Sequence, residues 1–110
     1  MFYVGNNGDF DYMVRIALQN LKVQFPYIDY YVVVAFKPRI NDMIKLRRNV
    51  LYPDCLQTVS NTAAIPVRNM WMIERADVVI AYVSQKKGGA WRFSRIAKDK
   101  GKQVINIATT

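Results

Sequence analysis

Two short stretches constrain what this chain can fold into. Tyr30–Phe36 and Val78–Val83 are continuous apolar runs, free of charge and dense in β-branched and aromatic residues. Both fall far short of the ~20 residues that a membrane-spanning helix needs. Runs of this length and composition suit strands buried on both faces, the pattern of a parallel sheet. Parallel neighbours need crossover connections, so helices are expected between them.

The segments between the runs carry the helical period. Phe10, Met13, Val14, Ala17 and Leu21 recur at helical spacing and predict a helix with that face inward. Asp9 is placed to cap it, Asp11 is favourable in its first turn, and Pro26 stops it. Pro66 fits the first turn of a further helix that carries Val67, Met70, Trp71 and Glu74 and ends at Ala76. A basic helix from about Ala90 to Lys100 buries Trp91, Ile96 and Phe93, and Gly101 fits the left-handed position beyond its end. Met1–Val4 and Gln103–Ala108 read as the first and last strands.

Between Phe36 and Ala64 the periodicity is broken by Pro38, Asn41, Asn49, Pro53 and Asn61. Loops are expected there, with a short helical turn near Met43–Arg48 and a short strand at Leu56–Val59. The order β-α-β-(loop, short β)-α-β-α-β predicts an α/β fold. It would be one three-layer domain over residues 1–110, with a mostly parallel sheet of about five strands and helices on both faces.

Composition removes most catalytic chemistry. The chain has no histidine and one cysteine, Cys55. That excludes Ser-His and Cys-His nucleophile pairs, His-ligated or Cys-cluster metal sites and an intrachain disulfide. Asp54 beside Cys55 disfavours a thiolate. No pair of carboxylates has spacing that argues for general acid–base work. No basic region precedes an apolar stretch at the N-terminus, so a soluble cytoplasmic protein without membrane contact is expected. Charge is the unusual bulk property: sixteen Lys/Arg oppose eight Asp/Glu, a net +8. Lys37–Arg48 holds five cations and one acid, and Lys86–Lys102 holds seven and one. Such an excess fits an anionic partner, or else solvated helix faces.

Two glycine loops follow strands directly. Gly5-Asn6-Asn7-Gly8 follows the first strand, and Lys86-Lys87-Gly88-Gly89-Ala90 follows the strand at Val78–Val83. Ligands of such folds bind beyond the carboxyl ends of the strands, so both loops are expected on one sheet edge. Each offers backbone N–H groups at a helix start, the physics of phosphate binding, although each also serves as an ordinary turn. Neither is a Gly-x-Gly-x-x-Gly fingerprint or a P-loop. Arg68 could hold a phosphate or carboxylate, or pair with an acid such as Asp54 or Asp77, and Asn69 could contact a ribose or base. Tyr82 could stack on a base or pack in the core, whereas Trp71 and Met72 read as core.

Three segments resemble the SLOG superfamily, in particular its small bacterial YpsA-like branch. They are Phe2-Tyr3-Val4-Gly5-Asn6-Asn7-Gly8-Asp9-Phe10-Asp11, Arg68-Asn69-Met70-Trp71-Met72-Ile73-Glu74-Arg75-Ala76-Asp77, and Gly88-Gly89-Ala90. The resemblance runs from the first strand to Asn106. It implies a Rossmann-like fold and a pocket for nucleotide-derived molecules. It carries over Gly5 and Gly8 at the first phosphate loop, Gly88 and Gly89 at the second, and Arg68 and Asn69 between them. The phosphoribohydrolase branch places a catalytic Glu after its double glycine, whereas this chain continues Ala90-Trp91-Arg92-Phe93-Ser94-Arg95. Relatives also carry a strand and helix ahead of the first loop, which implies either a missing pocket wall or a homodimer whose second subunit completes the pocket.

The function read from these features is a binding module for a nucleotide or an ADP-ribose- or NAD-like ligand, sensing or sequestering it without catalysis. Gly5, Asn6, Asn7, Gly8, Arg68, Asn69, Gly88, Gly89 and Ala90 would bind it, with further contacts from Tyr82, Lys86, Lys87 and Arg92. The alternative is single-stranded nucleic-acid binding through Lys86, Lys87, Arg92, Arg95, Lys98, Lys100 and Lys102, with Trp91 stacking on bases. A third reading is a phosphoribohydrolase-like enzyme in which Asp9 or Asp11 replaces the missing Glu.

Overall fold

A computed structural model describes residues 1–45 and 49–108. The protein is α/β, and its described strands pair only in parallel, in one three-stranded and one two-stranded sheet. The chain divides into two compact units, Met1–Arg68 and Asn69–Thr110.

In the first unit, β1 (Phe2–Val4), β2 (Tyr30–Val33) and β3 (Val50–Leu51) lie in the order β1-β2-β3. The register pairs Val4 with Val32 and Val33 with Leu51. As the middle strand, β2 feeds two cores with alternate residues. Tyr30, Val32 and Val34 cluster with Val4 and with Leu18 of α1 (Asp9–Gln24). On the other side, Ala35 clusters with Leu56 and with Ala64, the first residue of a later helix. The short α2 (Ile40–Lys45) lies between β2 and β3. The expected turn near Met43–Arg48 therefore overlaps α2, and its residues 46–48 lie outside the described residues.

In the second unit, β4 (Val78–Ala81) pairs with β5 (Gln103–Asn106). The basic helix α4 (Gly88–Asp99) crosses between them and packs on both. Gly101 has φ +80°, and the amides of Gly101 and Lys102 donate to the carbonyls of Lys98 and Ala97. This is the Schellman arrangement expected of a glycine just past a helix end. Between the strands of the two units, α3 (Ala64–Arg75) starts two residues before Pro66, which still lies in the first turn, where no N–H is required of it.

Four expectations are corrected. Of the expected stripe of α1, Val14 packs on the core, joined by Leu18, whereas Met13, Ala17 and Leu21 are exposed. Both sets are apolar, so periodicity alone did not choose between them. Residue Gly8, with φ +90°, occupies the N-cap of α1, and Asp9 makes no capping bond. Residues 56–59 form no strand: Pro53 starts a 3-10 turn at Asp54–Leu56, and the strand of this region is the two-residue β3. Finally, β4 is shielded on one face only. Val79 and Ala81 are covered, whereas Val78 and Ile80 are 45% and 51% exposed, because α4 packs on a single side.

The choice of stripe on α1 is testable. Leu18→Ala should cost about 2–5 kcal/mol as a core truncation. Met13→Ala, at an exposed position, should cost about 0.5 kcal/mol or less. Urea unfolding at constant m-value reads both, and equal losses would place α1 on its other stripe.

Candidate functional site

The first glycine loop is built into its unit by side chains from two helices, α1 and α3. Arg68 is 1% exposed. Its Nη1 donates to the carbonyl of Val33 at 2.9 Å and, over a longer 3.5 Å, to Oδ1 of Asn6. Burial lowers the Arg68 pKa from its ordinary value, and the nearby Asp11 carboxylate raises it. The carboxylate whose charge acts on Arg68 is thus Asp11, whereas the sequence had suggested Asp54 or Asp77.

Gly5 explains itself through the same cluster. A Cβ there would stand 2.5 Å from Oδ2 of Asp11 and 2.9 Å from Nη1 of Arg68. Any side chain would have to push back a guanidinium that is already hydrogen-bonded in the interior. Arg15 reaches the same residue from the next turn of α1, its Nη1 donating to the carbonyl of Gly5 at 3.2 Å. The Asn7 amide, one of those expected to face a phosphate, donates instead to Oδ2 of Asp11 at 3.0 Å. An incoming anion would meet a resident carboxylate. Among the residues named from sequence, the structure joins Gly5, Asn6, Asn7 and Arg68 here, with Gly8 capping the helix. Asp11, named from sequence as a first-turn acid, belongs here too, and Arg15 is added; its i, i+4 spacing from Asp11 is the signal that marks it.

The second glycine loop is open. At the carboxyl end of β4, a cavity of about 280 Å³ is lined by Tyr82, Val83, Ser84, Gln85, Lys87, Gly88, Gly89, Ala90 and Trp91. Its floor is the start of α4. Lys87 is the N-cap residue and makes no side-chain cap, and the first amides of a helix lack partners within it. Space around Gly88 and Gly89 is free: a Cβ on either would find no atom within 4 Å. Gly88 has φ +87°, a conformation that side chains disfavour. Tyr82 is 53% exposed, and Trp91 is half-buried.

The far wall is fixed by Asn106, whose side chain both donates to the carbonyl and accepts from the amide of Val83. Serine 84, Gln85 and Trp91 were absent from the sequence-derived ligand set; their position directly before or after the glycine loop is the signal. Lys86 and Arg92 are exposed but do not line the cavity, and Arg92 lies 5.7 Å from the ring of Phe93. Asn69 is half-buried on α3. Among the described residues, no group of three or more Cys, Asp or Glu could hold a metal ion, and no helix is long and apolar enough to cross a membrane.

No family model, curated protein or solved structure matches the chain.

Arg68 is expected to act as a bolt for the first loop. Arg68→Met keeps much of the buried stem but leaves the Val33 carbonyl unpaired, a cost of about 1–3 kcal/mol. Urea denaturation measures it, and a loss below about 0.5 kcal/mol would contradict the bolt.

Proposed function

We propose that the protein binds a nucleotide or a nucleotide-derived ligand of the ADP-ribose or NAD class, and senses or sequesters it without turning it over. The observation that carries this reading is the cavity at the start of α4. The amides of Gly88, Gly89 and Ala90 would hold a phosphate at the positive end of the helix, and Lys87 would add a full charge. Tyr82 and Trp91 offer ring faces to a base, while Ser84 and Gln85 supply hydroxyl and amide groups for a sugar. These roles combine apolar walls with a few placed polar groups, as ligand sites do.

Size and charge sharpen the proposal. About 280 Å³ lies at the lower edge of the ~300–1,000 Å³ of small-molecule sites. One nucleotide unit is the natural occupant, and the second half of a dinucleotide would extend over the surface. Residues 69–110 contain eight Lys/Arg and three Asp/Glu, a balance that attracts an anion. No carboxylate lines the cavity, so a phosphoribohydrolase-like general acid is missing where the ligand would sit. At the first loop the Asn7 amide is already taken by Asp11. A three-layer Rossmann-like domain of SLOG type belongs to the same proposal and rests on the motif residues.

A thermal-shift panel of AMP, ADP, ADP-ribose and NAD at moderate salt tests it. A true ligand at ~100 times its Kd should add about 2.7 kcal/mol, several degrees in Tm. Gly89→Asp should abolish that shift by placing a carboxylate among the phosphate-binding amides. The same acid in the first turn of α4 should leave stability unchanged or raise it by about 0.3–1 kcal/mol. No shift with any of the four, or an unaltered shift in Gly89→Asp, would overturn the reading.

A further inference from the structure

The seven cations between Lys86 and Lys102 exceed what one small ligand uses. Lys87 alone among them lines the cavity. Arg92, Arg95 and Lys98 stand exposed along α4, Lys86 lies exposed before it and Lys100 exposed beyond it. Within the described residues none of the seven is in an ion pair. Lys102 is half-buried and turns its Nζ toward the carbonyl of Glu74, 3.4 Å away. The one acid in the segment is Asp99.

We infer that this face of α4 is a docking surface for single-stranded nucleic acid, its phosphates on the cations and one base in the Tyr82–Trp91 cavity. The backbone contacts go beyond the nucleotide reading and stand without it; the placement of the base rests on it. An α-helix of this length spans about 18 Å, enough for several successive phosphates.

Three features favour a nucleic acid over other polyanions. A basic amphipathic helix holds a membrane by inserting its apolar face. Here that face is spent on the sheet, with Ala97 fully buried and Ser94 buried. An acidic peptide would use the charges but has no use for the exposed ring of Tyr82 beside them. Bases stack on such rings with little regard to sequence. Duplex bases are already stacked and paired, so a strand that fills the cavity must be unpaired.

Fluorescence anisotropy with a labelled oligothymidylate of ~15 nucleotides tests the surface, since single-strand sites span ~4–16 nucleotides. Each phosphate contact should contribute about −0.7 to the slope of log K against log salt between ~50 and ~200 mM. The triple variant R92A/R95A/K98A should lower affinity at least about tenfold and flatten the slope by about 2. Tyr82→Ala should weaken binding at least about fivefold and leave the slope unchanged. Circular dichroism should show both variants folded, since all four side chains are exposed.

Absence of binding at the lowest salt, or binding that the triple variant does not alter, would overturn the surface. So would equal affinity, per charge, for dextran sulfate or phosphatidylserine vesicles. A duplex of the same length bound as tightly would overturn the single-strand assignment. An AMP thermal shift, measured in wild type and in the triple variant, separates the two readings. Loss of oligonucleotide binding with an intact AMP shift concerns the helix face, whereas loss of the AMP shift in wild type concerns the cavity.

Discussion

Parallel pairing is the constraint on which the rest of this structure depends. Strands that run the same way cannot be joined by a tight turn, so a crossover must carry the chain back. In each unit the crossover from the first strand of the pair is a helix, α1 after β1 and α4 after β4. Each helix therefore begins at the carboxyl end of a strand, with unpartnered amides gathered in a short loop. Positive φ at Gly8 and Gly88 makes both turns. The placement of candidate anion sites follows from strand direction before any side chain is considered.

Side chains then give the two loops different fates. The first is closed from within: Asp11 accepts from the Asn7 amide, Arg15 holds the Gly5 carbonyl, and buried Arg68 ties Asn6 to Val33. A guanidinium in the interior is costly unless its donors are satisfied, and here a carbonyl at 2.9 Å and the field of Asp11 compensate. The second loop has no comparable tie. Its glycines face open space, its helix has no side-chain cap, and aromatic and polar groups stand around it. Equal motifs in the sequence thus become a rigid turn in one unit and a receptive cavity in the other.

Much of this was legible in the residues. The charge-free runs located β2 and β4, Pro26 and Gly101 marked the ends of α1 and α4, and the first glycine loop fell between strand and helix, whereas Gly88 and Gly89 open α4 itself. What escaped depended on tertiary context. Met13, Ala17 and Leu21 are as apolar as Leu18, and only packing against Val4 and Val32 selects Leu18, together with the expected Val14. A strand of two residues, β3, has no period to detect, whereas Leu56 looked strand-like but is a core anchor in a 3-10 turn. The structural role of Arg68 was hidden because its main partner is a backbone carbonyl, which no side-chain pattern reveals.

The central claim is that ligand phosphate rests on the first amides of α4. Titration of the ¹⁵N-labelled protein with AMP, followed by amide chemical shifts, tests it residue by residue. The account predicts saturable shifts at Gly88, Gly89 and Ala90, with smaller changes at Ser84 and Gln85. Shifts confined to other residues, or none at saturating AMP, would contradict it.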